Sequence, residues 1–125
     1  MKLRLRENSI RLRLLQSEIA RLHEHGSVSE KIRFAPQNAL NYSVDVSEQA
    51  KEITAHFENG DIKVEIPKAL ANEWIETERI GLENEQIIDE GLRLKIVLEK
   101  DFSCPERPLD PDNADAFPNP KSSCQ

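Results

Sequence analysis

The stretch KLRLRENSIRLRL, residues 2–14, decides how the chain begins to fold. Leucine or isoleucine alternates with basic residues on both sides of the polar break Glu7-Asn8-Ser9. Alternation with a period of two indicates a strand with one apolar face. Two such runs around a short polar break predict a β-hairpin.

This hairpin carries a row of cations on one face. Cross-strand neighbours of an antiparallel pair share a face, so the apolar side chains turn to the core and the basic ones turn away from it. Clustered guanidinium groups bind phosphate and carboxylate, which predicts a site for an anion or an acidic partner. A second interpretation is a solvated face whose charges pair with acids of neighbouring strands, such as Glu30, Asp45 or Glu65. The predicted site consists of Lys2, Arg4, Arg6, Arg11 and Arg13.

The same plan returns about fifty residues later. Residues 53–66 again alternate apolar and polar positions around Asn59-Gly60, the strongest short hairpin signal. Each hairpin precedes a segment with helical character. In the first, Ser17 is a possible N-cap and Gly26 the stop. In the second, Pro67 stands near the first helical position.

Two extended segments follow each predicted helix, so the chain divides into ββαββ halves at about 2–48 and 52–100 within one domain, 1–101. The prediction is an α+β fold with eight mostly antiparallel strands and two short helices. The strands form either two packed sheets or one curved, barrel-like sheet. The predicted core is Leu3, Leu5, Ile10, Leu12, Leu14, Ile19, Leu22, Ile53, Phe57, Ile62, Val64, Ile66, Leu70, Trp74, Leu94, Ile96 and Leu98.

Residues 102–125 form an acidic tail with five of the seven prolines and no periodicity. Proline lacks a backbone donor and restricts its predecessor, which excludes a helix or an inner strand. Phe102, Leu109 and Phe117 are unusual in a free tail. We expect the tail to dock in part on the domain, over 102–118, and to fray from Pro120 onward.

The charge of this 125-residue chain is −6, and it is unevenly spread. Residues 1–33 hold eight Lys or Arg and four Glu, a balance of +4, so the remainder is acidic. Net negative charge and the lack of aromatics among the arginines argue against nucleic-acid binding. No apolar run is long enough to span a membrane. Without a leader-like start, we expect a cytoplasmic protein in which Cys104 and Cys124 are reduced thiols.

No motif of nucleotide binding, nucleophilic catalysis or metal binding is recognisable. The chain lacks a Walker loop, a dinucleotide turn, Gly-x-Ser-x-Gly and His-Glu-x-x-His. His23, His25, His56 and the two cysteines lack the close paired spacing of zinc ligands. We therefore expect no cofactor or metal, and no catalysis is indicated.

The segments NSIRLRL, SEIARL, LEKDFSC and DAFPNP give the chain a resemblance to a small bacterial protein family of unknown function. That resemblance covers nearly the whole length and implies a short protein without assigned site residues. The duplicated architecture is also similar to the triphosphate tunnel metalloenzymes. Their first strand carries Glu-x-Glu-x-Lys, whereas this chain has Lys2-Leu3-Arg4-Leu5-Arg6 there, so the metal-binding acids are missing from that place.

The sequence favours a non-catalytic cytoplasmic binding or adaptor module whose basic hairpin face meets an anion or an acidic partner. Two alternatives stay open. One is a small phosphate-handling enzyme that uses the same arginines inside a curved sheet. The other is a homo-oligomer assembled through open sheet edges.

Overall fold

The computed structural model describes residues 1–102 and 114–118. It confirms the predicted α+β fold of duplicated ββαββ halves with two short helices. The elements are β1 (Lys2–Arg6), β2 (Ser9–Leu14), α1 (Gln16–His25), β3 (Ser27–Ala35), β4 (Asn38–Ser47), β5 (Thr54–Glu58), β6 (Asp61–Pro67), α2 (Lys68–Glu76), β7 (Gly81–Asp89) and β8 (Leu92–Lys100).

The two halves match residue by residue. Lys2 pairs with Arg13 in the first hairpin and Thr54 pairs with Glu65 in the third, so both partners shift by 52 positions. The hairpins that follow the helices match at a shift of 54, because the connection at 77–80 is longer than the single residue Gly26. Even the register irregularities after residues 33 and 87 differ by 54. The repeat is therefore a property of the backbone as well as of the sequence.

The halves exchange hairpins. The first sheet has the order β1-β2-β8-β7 and the second sheet has the order β3-β4-β6-β5. Hairpin partners are antiparallel, and the central pairs, β2 with β8 and β4 with β6, are parallel. Each sheet thus combines a hairpin that precedes a helix with a hairpin from the other half. Each sheet therefore contains strands from both halves.

The two sheets approach each other along two seams, where side chains take the place of strand pairing. At the seam between β5 and β7, the Ala55 amide donates to Gln86 Oε1 at 2.7 Å and Asn84 Nδ2 donates to the Ile53 carbonyl at 2.7 Å. At the seam between β1 and β3, the Met1 amino group donates to Glu30 of β3, and the Tyr42 hydroxyl of β4 lies 3.0 Å from the Met1 carbonyl oxygen. No ladder joins the sheets within residues 1–102 and 114–118. The arrangement is therefore an open pair of sheets rather than a closed barrel.

The core lies between the inner faces of the sheets and the two helices. Trp74 has no exposed surface, and its indole Nε1 donates to the Ile80 carbonyl at 3.0 Å. Most of the predicted core residues are buried or packed against buried ones. Leu5 and Phe57 were predicted wrongly, since they are 62% and 73% exposed. Both lie near the hairpin tips, at the end of the sheets opposite the helices, where nothing in the described chain covers the inner faces.

The start of α1 also differs from the prediction. Its N-cap is Leu15, so Ser17 lies inside the first turn. The Ser17 amide and hydroxyl instead donate to the carboxylate of Asp115, which serves as a cap from a distant part of the chain. The predicted stop at Gly26 is confirmed, because this residue has φ 75° and donates to the Leu22 carbonyl at 2.8 Å.

The described part of the tail contacts the helix end of the molecule. The Phe102 and Phe117 rings meet edge to face with centroids 6.0 Å apart, and the Phe117 amide donates to the Asp101 carbonyl at 2.7 Å. Lys100 Nζ lies 5.4 Å from the Phe117 ring centroid. The expectations for Leu109, Cys104, Cys124 and the segment from Pro120 onward lie outside the described residues.

Candidate binding face of the first sheet

The five predicted cations lie on one face of the first sheet. Lys2 pairs with Arg13 and Arg4 pairs with Arg11, so their side chains stand together on the side that faces away from the core. We call this side the outer face. Arg6 follows at the end of β1, near the hairpin tip.

Ion pairs hold the end of this row that lies nearer the helices. Arg13 Nε lies 2.8 Å from Glu99 Oε1, and Arg11 Nη1 lies 3.6 Å from the same oxygen. Lys2 Nζ lies 3.0 Å from Asp101 Oδ2. Glu99 lies at the end of β8, directly beside β2, and Asp101 follows that strand. The expected partners Glu30, Asp45 and Glu65 were wrong, because all three belong to strands of the second sheet.

The other end of the row keeps its charge. Arg4 and Arg6 are exposed and make no ion pair with any residue of the described chain. Arg4 stands directly opposite Arg11, and like charges at such a position are destabilising. An anion bound beside Arg4 and Arg11 would reduce this repulsion.

A hollow beside these arginines adds a cation that sequence reasoning missed. It measures about 380 Å³ and is lined by Ser9, Arg11, Lys95 and the turn at residues 7–8. Lys95 stands beside Ser9 in the parallel pair of β2 with β8. The Lys95 amide donates to the Asn8 carbonyl at 3.1 Å, which fixes the hairpin turn against β8. The hollow is thus bounded by two cations, a hydroxyl and one acid, Glu7.

The basic character ends at the far edge of the same face. Glu83 and Glu85 of β7 stand beside Val97 and Lys95. Glu85 also lies 3.5 Å from Arg93, which is partly neutralised as a result. The charge therefore runs from basic at β1 to acidic at β7, and the candidate site occupies the basic half.

A buried polar cluster fixes the start of β1. The α-amino group of Met1 donates to Glu18 and to Glu30, and Tyr42 donates to Glu30 at 3.0 Å. Burial lowers the pKa of the Met1 α-amino group, but the bonds to Glu18 and Glu30 outweigh burial, so the pKa is raised. Burial and the bond to Glu30 raise the pKa of Tyr42 to about 12.

The two carboxyl groups of this cluster shift in opposite directions. Burial raises the pKa of Glu18, against the hydrogen bond from the Leu15 amide at 2.8 Å. Burial also acts upward on Glu30, but its bonds to the Met1 ammonium, Glu18 and Tyr42 hold the pKa of that carboxyl below its ordinary value. Glu18 is therefore the first of the pair to take up a proton. The cluster ties β1 to α1 and β3, and so positions the basic row.

Within residues 1–102 and 114–118, no three His, Cys, Asp or Glu side chains are grouped so as to hold a metal ion. Among the same residues, neither helix has the length and apolar character needed to cross a membrane.

Comparison with known proteins identifies the chain through its family. No curated protein and no solved structure matches it. A family model matches residues 1–121, which is nearly the whole chain. The protein therefore belongs to DUF7009, a family of unknown function.

Proposed function

We propose that this protein is a non-catalytic binding module that holds an acidic protein segment on the outer face of its first sheet. The observation that carries the proposal is the pair Arg4 and Arg6, which make no ion pair with the described residues, beside a hollow lined by Arg11, Lys95 and one acid, Glu7. A bacterial, cytoplasmic setting, as expected from the sequence, belongs to the same proposal.

The geometry favours an extended partner over a small anion. The hollow opens beside exposed side chains, so a phosphate bound there would stay largely hydrated. A chain that carries several carboxylates could meet Arg4, Arg6 and Lys95 at once, with bidentate bonds at the guanidinium groups. Exposed pairs of this kind each contribute fractions of a kcal/mol, so affinity would come from their number.

An enzymatic role has less support. Phosphate-handling chemistry of the tunnel type needs carboxylates that hold a metal near the arginines. Here Glu99 is already engaged by Arg11 and Arg13. The arginines stand on the outer face rather than between the sheets.

The test is retention on poly-glutamate resin at low ionic strength, where screening is weakest. The wild-type protein should bind and elute with salt, and the double variant Arg4→Glu/Arg6→Glu should pass through. Arg21→Glu/Lys51→Glu is a matched control that changes the net charge equally. Both residues are exposed, Arg21 on α1 and Lys51 in the connection between β4 and β5.

Three results would count against the proposal. Wild-type protein that passes through the resin would remove its basis. Equal loss of binding in the control would show that net charge decides, rather than this face. Complete competition by inorganic phosphate at equivalent charge would assign the site to a small anion.

A further inference from the structure

A cleft opens between the two sheets at the end opposite the helices, and we call it the mouth. It measures about 390 Å³ and its lining is mostly apolar. The side chains that form its apolar wall are Leu5, Ile10, Leu40, Ala55, Phe57, Ile62 and Leu94. Leu5 and Ile10 of the first sheet correspond in the repeat to Phe57 and Ile62 of the second, at a shift of 52. The mouth therefore lies on the approximate two-fold axis that relates the halves.

More apolar surface surrounds the mouth. Phe34 is 71% exposed at the tip of the β3–β4 hairpin, and Ile32 lies two residues before it on the same strand. The tip of the β7–β8 hairpin exposes Ile88 and Leu92. Together with Leu5 and Phe57, these side chains expose on the order of 600 Å², at about 200 Å² for a large apolar residue. A patch of that size is at the upper limit for monomers, about 300–600 Å², and approaches the roughly 800 Å² per partner of a stable interface.

The charges at the rim are arranged in two opposed groups. The tips that carry Arg6, Glu7 and Arg33 belong to hairpins that meet at the seam between β1 and β3, and these three residues have a net charge of +1. The tips that carry Glu58 and Glu90 belong to hairpins that meet at the other seam. One side of the rim is thus basic and the other acidic. A partner of uniform charge would be repelled by one side, whereas a second copy turned by 180° would match both.

From the apolar area and this self-complementary rim, we propose that the mouth is the interface of a symmetric homodimer, formed mouth to mouth with a second copy of the chain. The interface is isologous, because the same patch serves both partners. The edge strands do not compete for this role, since they face each other in pairs across the seams. This interface and the binding face share the tip of the first hairpin, with Arg6 and Glu7, but the apolar wall of the mouth lies on the inner side of the sheets.

The test is the molar mass of the full chain by sedimentation equilibrium across micromolar concentrations. We expect the wild-type protein to have the mass of two chains at high concentration and to dissociate on dilution. Phe57→Glu should raise the dissociation constant about 30-fold or more, the loss typical of a central aromatic residue at an interface. The control Ile80→Glu introduces the same charge at an exposed apolar residue on the helix end and should leave the dimer intact.

Leu5→Glu provides a second reading from the other half of the mouth, and far-UV circular dichroism verifies that each variant is folded. Wild-type protein with the mass of one chain at every concentration would overturn the proposal. Such a monomer with an apolar ligand bound, detected by native mass spectrometry, would overturn it as well. A dimer that survives both Phe57→Glu and Leu5→Glu would also overturn it. Phe57→Glu should still be retained on poly-glutamate resin, because the substitution lies outside the binding face. Loss of the dimer can then be distinguished from loss of binding at that face.

Discussion

Trp74 is the side chain whose replacement should tell most about the fold. It is fully buried among both halves of the repeat, and its indole N–H bonds to the Ile80 carbonyl. Truncation to alanine removes a large apolar surface and leaves a cavity, for which the usual cost is about 3–5 kcal/mol. Since a domain of this size is stable by about 5–15 kcal/mol, Trp74→Ala should remove a large part of the stability.

Trp74→Phe separates packing from the hydrogen bond. The Ile80 carbonyl also accepts the Lys100 amide at 3.0 Å, so it keeps a partner when the indole is lost. The variant should therefore lose only the net value of one hydrogen bond, about 0.5–1.5 kcal/mol, and a modest packing term. The measurement is urea unfolding followed by circular dichroism at 222 nm, because the only tryptophan is removed in both variants.

The order of the two variants is the decisive result. A loss below about 1 kcal/mol for Trp74→Ala would contradict full burial of this side chain. A loss for Trp74→Phe as large as that for Trp74→Ala would show that the Ile80 carbonyl depends on the indole, against the geometry described above.

Two further predictions concern the first hairpin and the cluster at its start. Stability should fall as pH rises above about 8. The pKa of the Met1 α-amino group is raised in the folded protein, so the unfolded chain loses this proton first. The raised pKa of Tyr42, about 12, extends the loss of stability to higher pH. Urea titrations at pH 7, 9 and 10 should show it, with a shallower fall in Glu18→Gln; stability that rises with pH would refute the assignment. Glu7 has φ 52°, as has Asn59 at the equivalent turn, so Glu7→Asn should stabilise by about 0.5–1 kcal/mol. Asn59→Glu should be destabilising by a similar amount. Equal urea midpoints for the wild-type protein and both variants would contradict backbone strain at this turn.

The local elements could be predicted from the sequence, and their assembly could not. Period-two alternation and the Asn59-Gly60 turn are local signals, so the hairpins and the repeat were accessible. The exchange of hairpins depends on parallel pairing of β2 with β8, from opposite ends of the chain, and no local pattern encodes that choice. Periodicity also tells which face of a strand is apolar, not how far the core extends along it. That is why Leu5 and Phe57, at equivalent positions, were both assigned to the core.

The candidate site shows the same division. The shared face of the five cations follows from hairpin parity alone, and the structure places them there. The acid that holds Arg11 and Arg13, and the added cation Lys95, both come from β8. They became visible only when the sheet order was known. Apolar residues at hairpin tips were a readable signal for the mouth, but the sequence assigned them to the core.

The repeat also offers a comparison within the molecule that separates the needs of the fold from other demands. Core positions of the two halves carry the same kind of residue, as in Leu12 with Val64. The outer positions do not. Five cations in the first hairpin correspond to a set with a charge of −1 when histidine is neutral. These equivalents are Thr54, His56, Glu58, Lys63 and Glu65.

On the outer face of the second sheet, His56 Nε2 lies 3.5 Å from Glu65 Oε1. A hairpin of the same register therefore folds without a row of arginines, and the fold does not require one. The apolar wall of the mouth behaves differently, because Leu5 and Phe57 are apolar in both halves although neither is needed in the core. A two-fold interface would use equivalent residues of both halves, as the mouth does. A binding face would use residues of one half only, as the five cations of the first hairpin do.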